Sequence, residues 1–382
     1  MRGHIRKRAK DSWSVVVELP RDPETGRRRQ KWVTVKGTKR DAERVLAEMV
    51  AEIERGTYVE PSKLTVAEYL DMWLRDCASA SVRPTTLEGY EVMVRRHLMP
   101  ELGDILLPRL TPLHVQGLYR KMTEQGLSPR TVRLAHAVLR QSLAQAVKWG
   151  FLGRNVCDAV ELPRQAHKEM RVLTPEEAKR FLEAAKGERL EALWVLALTT
   201  GMRKGELLGL RWQDVDLERA TLEVRQSLVR VHGKPVFQQP KTARARRTVE
   251  LTPLAVEALR RHRAKQAQER LLAGSSWLNH GLVFCQRDGR PLDPMNVYNR
   301  NFKRVLAKAG LDGVRLHDLR HTHATLLLKS GANPKVVSER LGHASTAFTM
   351  DVYSHVLPGL QRDAALKVDQ MLGAEIGGSK QK

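Results

Sequence analysis

Two arginines could meet the charge that develops when a phosphodiester is attacked. Such attack adds negative charge to two non-bridging oxygens, and a guanidinium can donate two parallel hydrogen bonds to them. Arg203 follows the apolar helical segment EALWVLALTTG, so it would leave the core at a helix boundary where Gly201 permits a tight turn. Arg320 lies in HDLRHTHAT. Glu206, one helical turn after Arg203, either steers that side chain or is an ordinary capping glutamate.

A tyrosine and two histidines supply what a nucleophilic attack needs. A phenol titrates near ~10, so Tyr353 is a weak nucleophile at neutral pH unless a base takes its proton during attack. His317 and His343 can each supply neutral imidazole near pH 7. A tyrosine on its own is more often a packed core side chain, so the interpretation of Tyr353 depends on the motifs around it.

A lysine is the candidate donor for the leaving oxygen, which must gain a proton. Lys241 lies in a predicted turn between two β-strand patterns and could donate where desolvation favours loss of its proton. Lys234, in the preceding turn, is the alternative. The neighbouring arginines of the same segment are predicted to contact the phosphate backbone of the substrate: Arg244, Arg246 and Arg247.

The histidines of HDLRHTHAT also raise the possibility of a metal site. His317 and His321 are one helical turn apart, as in zinc-binding helices. The residue after His317 is not the glutamate that such helices use to activate water, and Arg320 between the two histidines would repel a cation. We therefore expect His321 and His323 to pack near the site, and we expect neither a metal nor a cofactor.

Four segments carry a resemblance to the tyrosine recombinase, or phage integrase, family: TGMRKGELLGLRW, KTARARRTVEL, HDLRHTHAT and LGHASTAFTMDVYSHV. The six catalytic positions of that family are matched in order by Arg203, Lys241, His317, Arg320, His343 and Tyr353. The resemblance implies that Tyr353 forms a 3′-phosphotyrosyl link, that His317 assists proton transfer and that His343 hydrogen-bonds the phosphate. It implies site-specific DNA recombination without ATP, in the integration and excision of a phage or mobile element.

Two smaller modules precede these motifs. Apolar and polar residues alternate between Trp13 and Val35 on either side of RDPETGRRR, which predicts a β-hairpin, and Lys39 to Arg55 has helical apolar spacing. Gly56 to Lys63 breaks the pattern. Four helices are then predicted, each with a Thr or Ser cap or with Pro in its first turn. They begin near Thr65, Pro84, Thr111 and Ser128.

The motifs themselves lie in a third module. It opens at TPEEAKRFLEA, where Thr174 is the predicted cap and Pro175 the first helical residue. Helices run from there to about Leu210, short β patterns follow at ATLEVRQ, LVRVHG and ARRTVEL, and helices return after Thr252. The N-terminal module resembles the arm-type DNA-binding domain of integrases.

We therefore expect a multidomain α+β protein. Its parts would be a small N-terminal three-stranded sheet plus helix at 1–57, a helical core-site-binding domain at 63–160 and a catalytic domain at 171–382. The catalytic domain is expected to be mainly helical with a small antiparallel sheet. The two larger domains would clamp the duplex.

The charge of the chain points to a polyanionic partner. The formal net charge is +23 with a pI near 10.3, and self-repulsion of this size is usually tolerated where the partner is a polyanion. Up to Arg40 there are thirteen basic residues against four acidic ones. We predict double-stranded DNA as the partner, at core-type and arm-type attachment sites, with accessory DNA-bending or excision factors.

The segment GLQRDAALKVDQML near the end of the sequence is apolar at Leu360, Ala364, Leu366, Val368 and Leu372. Family members commonly exchange such a segment between neighbours, which implies a homo-tetramer on DNA. A helix that folds back on its own domain is the alternative.

No membrane role is expected. The longest uncharged apolar stretch, around Ala192 to Gly201, is far short of the ~20 residues that span a bilayer. The apolar run Val15 to Val17 is too short for a signal-peptide core, so the protein should stay in the cytoplasm, at the nucleoid of a bacterial host. Cys77, Cys157 and Cys285 are widely spaced and suggest neither a disulfide framework nor a zinc site.

Other activities could use part of this residue set. A type IB topoisomerase uses similar groups but reseals the same strand; the separate basic N-terminal module and the LGH segment favour recombination. A non-catalytic DNA-binding regulator would not need all six residue types. A metal-dependent nuclease or transposase would need a carboxylate cluster, and no carboxylates recur with the catalytic motifs.

Overall fold

The structure is a computed structural model that describes residues 3–19, 25–54, 63–165, 170–239, 246–342, 345–347, 350, 365–366 and 368–372. The chain divides into two compact units, Met1–His167 and Lys168–Lys382. Within the described residues, no helix combines the length and the apolar character that crossing a membrane requires.

The first unit begins with the predicted three-stranded sheet and helix. The strands are antiparallel and lie in sequence order: β1 (Gly3–Ala9), β2 (Ser12–Leu19) and β3 (Arg29–Lys36). Helix α1 (Lys39–Glu54) packs on one face, where Val15 and Val17 of β2 meet Ala42. This confirms the N-terminal fold, including a first strand that apolar alternation alone does not reveal.

The rest of the first unit is helical. Its helices are α2 (Val66–Trp73), α3 (Ser79–Ser81), α4 (Pro84–Met93), α5 (Met99–Leu102), α6 (Pro112–Glu124) and α7 (Pro129–Lys148). A π-helical turn, Leu74–Ala78, joins α2 to α3, and a second, Val94–Leu98, joins α4 to α5. Short 3-10 turns lie at Leu107–Arg109 and Val156–Ala159.

The starts of these helices follow their capping chemistry. The hydroxyls of Thr65, Thr111 and Ser128 each accept a hydrogen bond from a main-chain N–H in the first turn, and Pro84 is the first residue of α4. Such caps satisfy N–H groups that lack a partner inside the helix. The four predicted starts are therefore confirmed.

The sheet module and the helical bundle have separate hydrophobic cores. The bundle core is built around Tyr69 and Trp73 of α2 and Leu139 of α7, and the Tyr69 hydroxyl donates to the carbonyl oxygen of Ser142. Two cores within the first unit are compatible with the boundaries at 57 and 63, which stay a prediction.

The second unit combines helices with two small antiparallel sheets. Its helices are α8 (Pro175–Ala185), α9 (Glu191–Thr200), α10 (Lys204–Leu208), α11 (Pro253–Ala273), α12 (Pro294–Asn296), α13 (Lys303–Ala309), α14 (Leu316–Lys329) and α15 (Pro334–Leu341). Its strands are β4 (Val215–Asp216), β5 (Thr221–Val224), β6 (Ser227–Val231), β7 (Lys234–Gln238) and β8 (Arg247–Glu250). The sheets have the orders β4-β5-β8 and β6-β7, and a π-helical turn, Val297–Phe302, leads into α13.

Helix α9 forms the centre of the second unit because it is apolar on all sides. Trp194 and Leu196 have no exposed surface, and α8, α11 and α14 all pack against this helix. A helix without a polar face is stable in water only when it is buried. Its C-terminal end therefore has a fixed position in the core, and the chain that follows it starts from that position.

A glycine ends α9 where no side chain fits. Gly201 has a φ of 64°, a left-handed conformation that costs other residues ~1–2 kcal/mol. A Cβ added there would lie 2.6 Å from Leu341 Cδ2 and 2.7 Å from His323 Cδ2. The close approach of α9 to α14 and α15 therefore depends on the missing side chain.

Replacing Gly201 by alanine should destabilise the second unit by about 2–5 kcal/mol, because overpacking adds ~1–3 kcal/mol to the backbone cost of ~1–2 kcal/mol. Gly310 is a matched control: its φ is 62° and no atom lies within 4 Å of an added Cβ. Gly310→Ala should cost only about 1–2 kcal/mol. Urea unfolding of the full-length variants measures both losses, and equal losses would contradict a steric requirement at Gly201.

Candidate active site

Arg203 is the N-terminal boundary residue of α10 and is held by Glu206. Its main-chain N–H donates to Glu206 Oε2 at 2.9 Å and its Nη1 donates to Glu206 Oε1 at 2.8 Å. The side chain of Arg203 is 41% exposed, whereas that of Glu206 is 8% exposed. Glu206 thus both caps the helix and steers Arg203, and the guanidinium still reaches solvent.

A third group, Arg247 at the start of β8, also binds Glu206. Its Nη2 donates to Glu206 Oε2 at 2.9 Å, and its side chain is only 6% exposed. Burial alone would raise the pKa of Glu206, but Arg247, together with the N–H and guanidinium of Arg203, outweighs it and holds the pKa below its usual value. The carboxylate is therefore ionised between two cations.

The predicted DNA-backbone contact of Arg247 is wrong, because this guanidinium is buried and its charge is paired with the carboxylate of Glu206. Arg246 is exposed and donates to Gln239 Oε1 at 2.6 Å, and Arg244 lies outside the described residues. The sequence did hold a signal for Arg247: it shares a face of β8 with Val249, which is buried. Alternation along RTVEL thus predicts an inward-pointing arginine.

Arg320 lies on α14 and is almost fully buried, with 3% exposure. Its Nη1 donates to the carbonyl oxygen of Gly201 at 2.8 Å and its Nη2 donates to that of Leu341 at 2.7 Å. Gly201 is two residues before Arg203. The two candidate phosphate ligands therefore come together at the end of α9.

His317 lies one helical turn before Arg320 on α14 and is exposed, at the edge of the cluster that contains Arg203 and Arg320. Partial desolvation lowers the pKa of His317, and the positive charges of Arg320 and Arg203 lower it further. The imidazole is thus neutral at pH 7, as a base must be. The ring of His321 meets it edge-on, with centroids 4.8 Å apart.

The other histidines of α14 pack near the site, as expected. Desolvation, with a contribution from His317, lowers the pKa of His321 to about 4. His323 is buried, and its Nε2 accepts a hydrogen bond from Arg340 Nε at 3.1 Å. The ring proton is therefore on Nδ1, which donates to the carbonyl oxygen of Leu198 at 2.9 Å. Across the part of the chain that the structure describes, no group of three His, Cys, Asp or Glu residues could hold a metal ion.

Three of the predicted site residues, Lys241, His343 and Tyr353, lie outside the described residues. In the sequence, His343 directly follows Gly342, whose carbonyl oxygen lies 3.5 Å from Arg203 Nη2. Lys234, the alternative to Lys241, is exposed at the start of β7. The structure thus brings together Arg203, His317 and Arg320, and the other three assignments stay predictions.

Comparisons with known proteins match both larger parts of the chain. The phage integrase family matches residues 171–359, and the family described as phage integrase, N-terminal SAM-like domain matches residues 65–123. A tyrosine recombinase XerC-like protein of Caldanaerobacter subterraneus subsp. tengcongensis is 33% identical over 377 residues, which cover 94% of this chain and 96% of the relative. An integrase of Streptomyces ambofaciens is 32% identical over 362 residues, covering 93% and 92%.

Solved structures share the fold. The Tn1549 transposon integrase, in complex with a circular intermediate DNA, superposes with a TM-score of 0.68 at 22% identity, over 80% of this chain and 99% of that one. A lambda integrase tetramer bound to a Holliday junction gives a TM-score of 0.57 at 21% identity, over 91% and 94%. The chain therefore belongs to the phage integrase family of tyrosine recombinases, enzymes that cleave and rejoin DNA strands in site-specific recombination.

Proposed function

We propose that this recombinase integrates and excises a phage or mobile element, with Arg203 and Arg320 binding the scissile phosphate and Tyr353 attacking it. The observation that carries the assignment is the convergence of two arginines and a neutral histidine at the end of α9. Relatives named integrases, among them the ICEBs1 integrase of Bacillus subtilis, which is 27% identical over 372 residues, support the mobile-element role.

The charges of the site favour the transition state. Arg203 and Arg247 share the single carboxylate of Glu206, so this part of the site keeps one formal positive charge, and Arg320 adds another. Cations that are held in place near the phosphate oxygens stabilise the negative charge that develops there, and the protein does not have to rearrange during the reaction. Because Glu206 is already satisfied, the exposed part of Arg203 can turn to phosphate oxygens.

The proton transfers are proposed from the residue types together with the family resemblance, which gives His317 and His343 their separate roles. As the Tyr353 oxygen bonds to phosphorus, His317 assists removal of the phenolic proton, and His343 hydrogen-bonds the phosphate. The bond from phosphorus to the 5′ oxygen breaks, and Lys241 gives that oxygen a proton. The 5′ hydroxyl of another strand then attacks the 3′-phosphotyrosyl link and releases Tyr353, so the number of phosphoester bonds is conserved.

The first unit supplies a second DNA contact in this proposal. The sheet face opposite α1 presents exposed Arg6 and Arg8 of β1, and Trp32 of β3 is 56% exposed on the same face. Basic side chains around an aromatic ring suit a DNA groove. We assign arm-type sites to this module, 1–57, and core-type sites to the domains at 63–160 and 171–382, with accessory bending or excision factors acting at the nucleoid.

A homo-tetramer on DNA is the proposed working assembly. Leu366, Val368 and Leu372 are 52%, 54% and 58% exposed, and apolar side chains of this kind near the end of the chain would be covered by a neighbouring subunit. The lambda integrase tetramer on a Holliday junction supports the same assembly.

Tyr353→Phe should bind attachment-site DNA normally and form no denaturant-stable protein–DNA adduct, because the phenolic oxygen is the only atom lost. Denaturing gel electrophoresis with nicked site DNA measures the adduct. Tyr298→Phe is the control: that ring lies in the second unit against Phe302 and has no proposed role in cleavage. An adduct in Tyr353→Phe would refute the assignment of the nucleophile.

Strand cleavage should persist in excess EDTA, because Arg203, Arg320 and Lys241 supply the cations that a metal-dependent enzyme would take from solution. Adduct formation is measured after chelation, beside a metal-dependent nuclease that must lose activity in the same tube. A strict Mg²⁺ requirement for the covalent step, rather than a modest effect on DNA binding, would be incompatible with the mechanism.

A chain starting at Ser62 should retain core-site binding and Tyr353-dependent cleavage but lose recombination between two attachment sites. Its salt dependence of binding should be shallower by ~0.9 for each phosphate contact removed. Filter binding across salt concentrations and a two-site recombination assay test both. If the fragment 1–57 does not prefer attachment-region DNA to random DNA at physiological salt, the arm-site proposal is wrong.

A further inference from the structure

Three consecutive carbonyl oxygens at the C-terminal end of α15 face three different arginines. The oxygen of Arg340 accepts from Arg247 Nε at 2.6 Å, and that of Leu341 accepts from Arg320 Nη2 at 2.7 Å. The oxygen of Gly342 lies 3.5 Å from Arg203 Nη2, a long contact. The last carbonyls of a helix have no partner inside it, and the left-handed Gly342, with a φ of 66°, ends α15 at this point.

The three arginines reach these carbonyls from separate parts of the second unit. Arg203 starts α10, Arg247 starts β8 and Arg320 lies on α14. Arg203 and Arg247 are also joined through Glu206, and Arg320 through the carbonyl oxygen of Gly201. The hydrogen bonds therefore form a closed ring in which Arg247 connects Glu206 to α15.

We propose that Arg247 is a positioning residue for strand cleavage, which fixes Arg203 for the phosphate without touching DNA. This inference rests on the proposed function of Arg203. Arg247 acts in two ways. It links Glu206 to α15 through hydrogen bonds, and it supplies part of the positive charge that neutralises the Glu206 carboxylate, so that Arg203 need not supply all of it.

The second action follows from charge. With Arg247 in place, one carboxylate is shared by two guanidiniums, and positive charge is left for the substrate. Without Arg247, Glu206 would be neutralised by Arg203 alone, and the phosphate would have to compete with a buried carboxylate for the same donors. Loss of Arg247 should thus slow the chemical step rather than weaken DNA binding.

Arg247→Met is the direct test, with single-turnover adduct formation measured over a range of DNA concentrations. We expect the rate at saturating DNA to fall about 100-fold, the size of effect that a ~1 Å misplacement of a reacting group produces. The DNA concentration for half-maximal rate should change less than about 3-fold, because an energy difference that small is typical of a residue away from the interface. Arg260→Met is the control, since Arg260 is exposed on α11 beside Glu218 and should cleave like the wild type.

A double variant separates positioning from mere stability. In Arg247→Met/Glu206→Gln the neutral amide no longer captures Arg203, so adduct formation should recover at least ~5-fold over Arg247→Met, within the usual coupling of contacting residues. Because Glu206→Gln also removes a buried carboxylate that has lost one of its cations, the folded fraction of both variants is measured by urea unfolding. A purely structural role predicts that cleavage recovers only as far as the folded fraction does. If Arg247→Met fails to fold, Arg247→Lys is tested in its place. The lysine ammonium keeps the positive charge but cannot donate to Glu206 and to the carbonyl oxygen of Arg340 in the geometry of the planar guanidinium, so the rate of adduct formation should fall ~10-fold.

The outcomes distinguish this inference from the function on which it depends. An adduct in Tyr353→Phe removes the proposed function itself. If Tyr353→Phe and Arg203→Ala form no adduct while Arg247→Met, or in its place Arg247→Lys, cleaves at the wild-type rate, the function stands and the positioning role of Arg247 is refuted.

Discussion

Glu206 is a carboxylate that folding removes from water, and a buried anion is stable only beside cations and hydrogen-bond donors. The requirement is met by the main-chain N–H of Arg203 and by two guanidiniums, from α10 and β8. Satisfying one side chain therefore fixes these two elements against each other. The C-terminal end of α15 belongs to the same arrangement, because its last carbonyl oxygens, which have no partner within the helix, accept hydrogen bonds from Arg247 and Arg320.

Local chemistry made much of the fold predictable. Helix starts at Thr65, Thr111, Ser128 and Thr174 could be read from the sequence because a hydroxyl cap followed by Pro or Glu acts within one turn. The β patterns at ATLEVRQ, LVRVHG and ARRTVEL were confirmed because the alternation of apolar and polar residues along a strand is also a local signal. Strand β1 could not be found in this way: GHIRKRA is basic along most of its length, and only its pairing with β2 makes it a strand.

The residues of the site could be predicted where a sequence motif contains them. They could not be predicted where their role depends on a contact between distant segments of the chain. Arg203, His317 and Arg320 were identified by their residue types and by the family motifs in which they lie, and the structure brings them together at the end of α9. Arg247 was assigned to DNA because a basic cluster suggests a solvent-exposed surface. Its inward direction could be read from the alternation with buried Val249, but its partner, a carboxylate 41 positions earlier in the chain, is encoded by no local pattern.

The π-helical turns of the first unit bear on how the chain tolerates changes in length. Leu74–Ala78 and Val94–Leu98 each hold one more residue per turn than an α-helix does. Removing one residue inside such a turn lets it close as ordinary α-helix while the flanking helices keep their contacts. Removing one from α7, which has no such turn, would rotate every later side chain by about 100° away from the core. Single-codon deletions are therefore expected to survive at these two turns and to fail along α7.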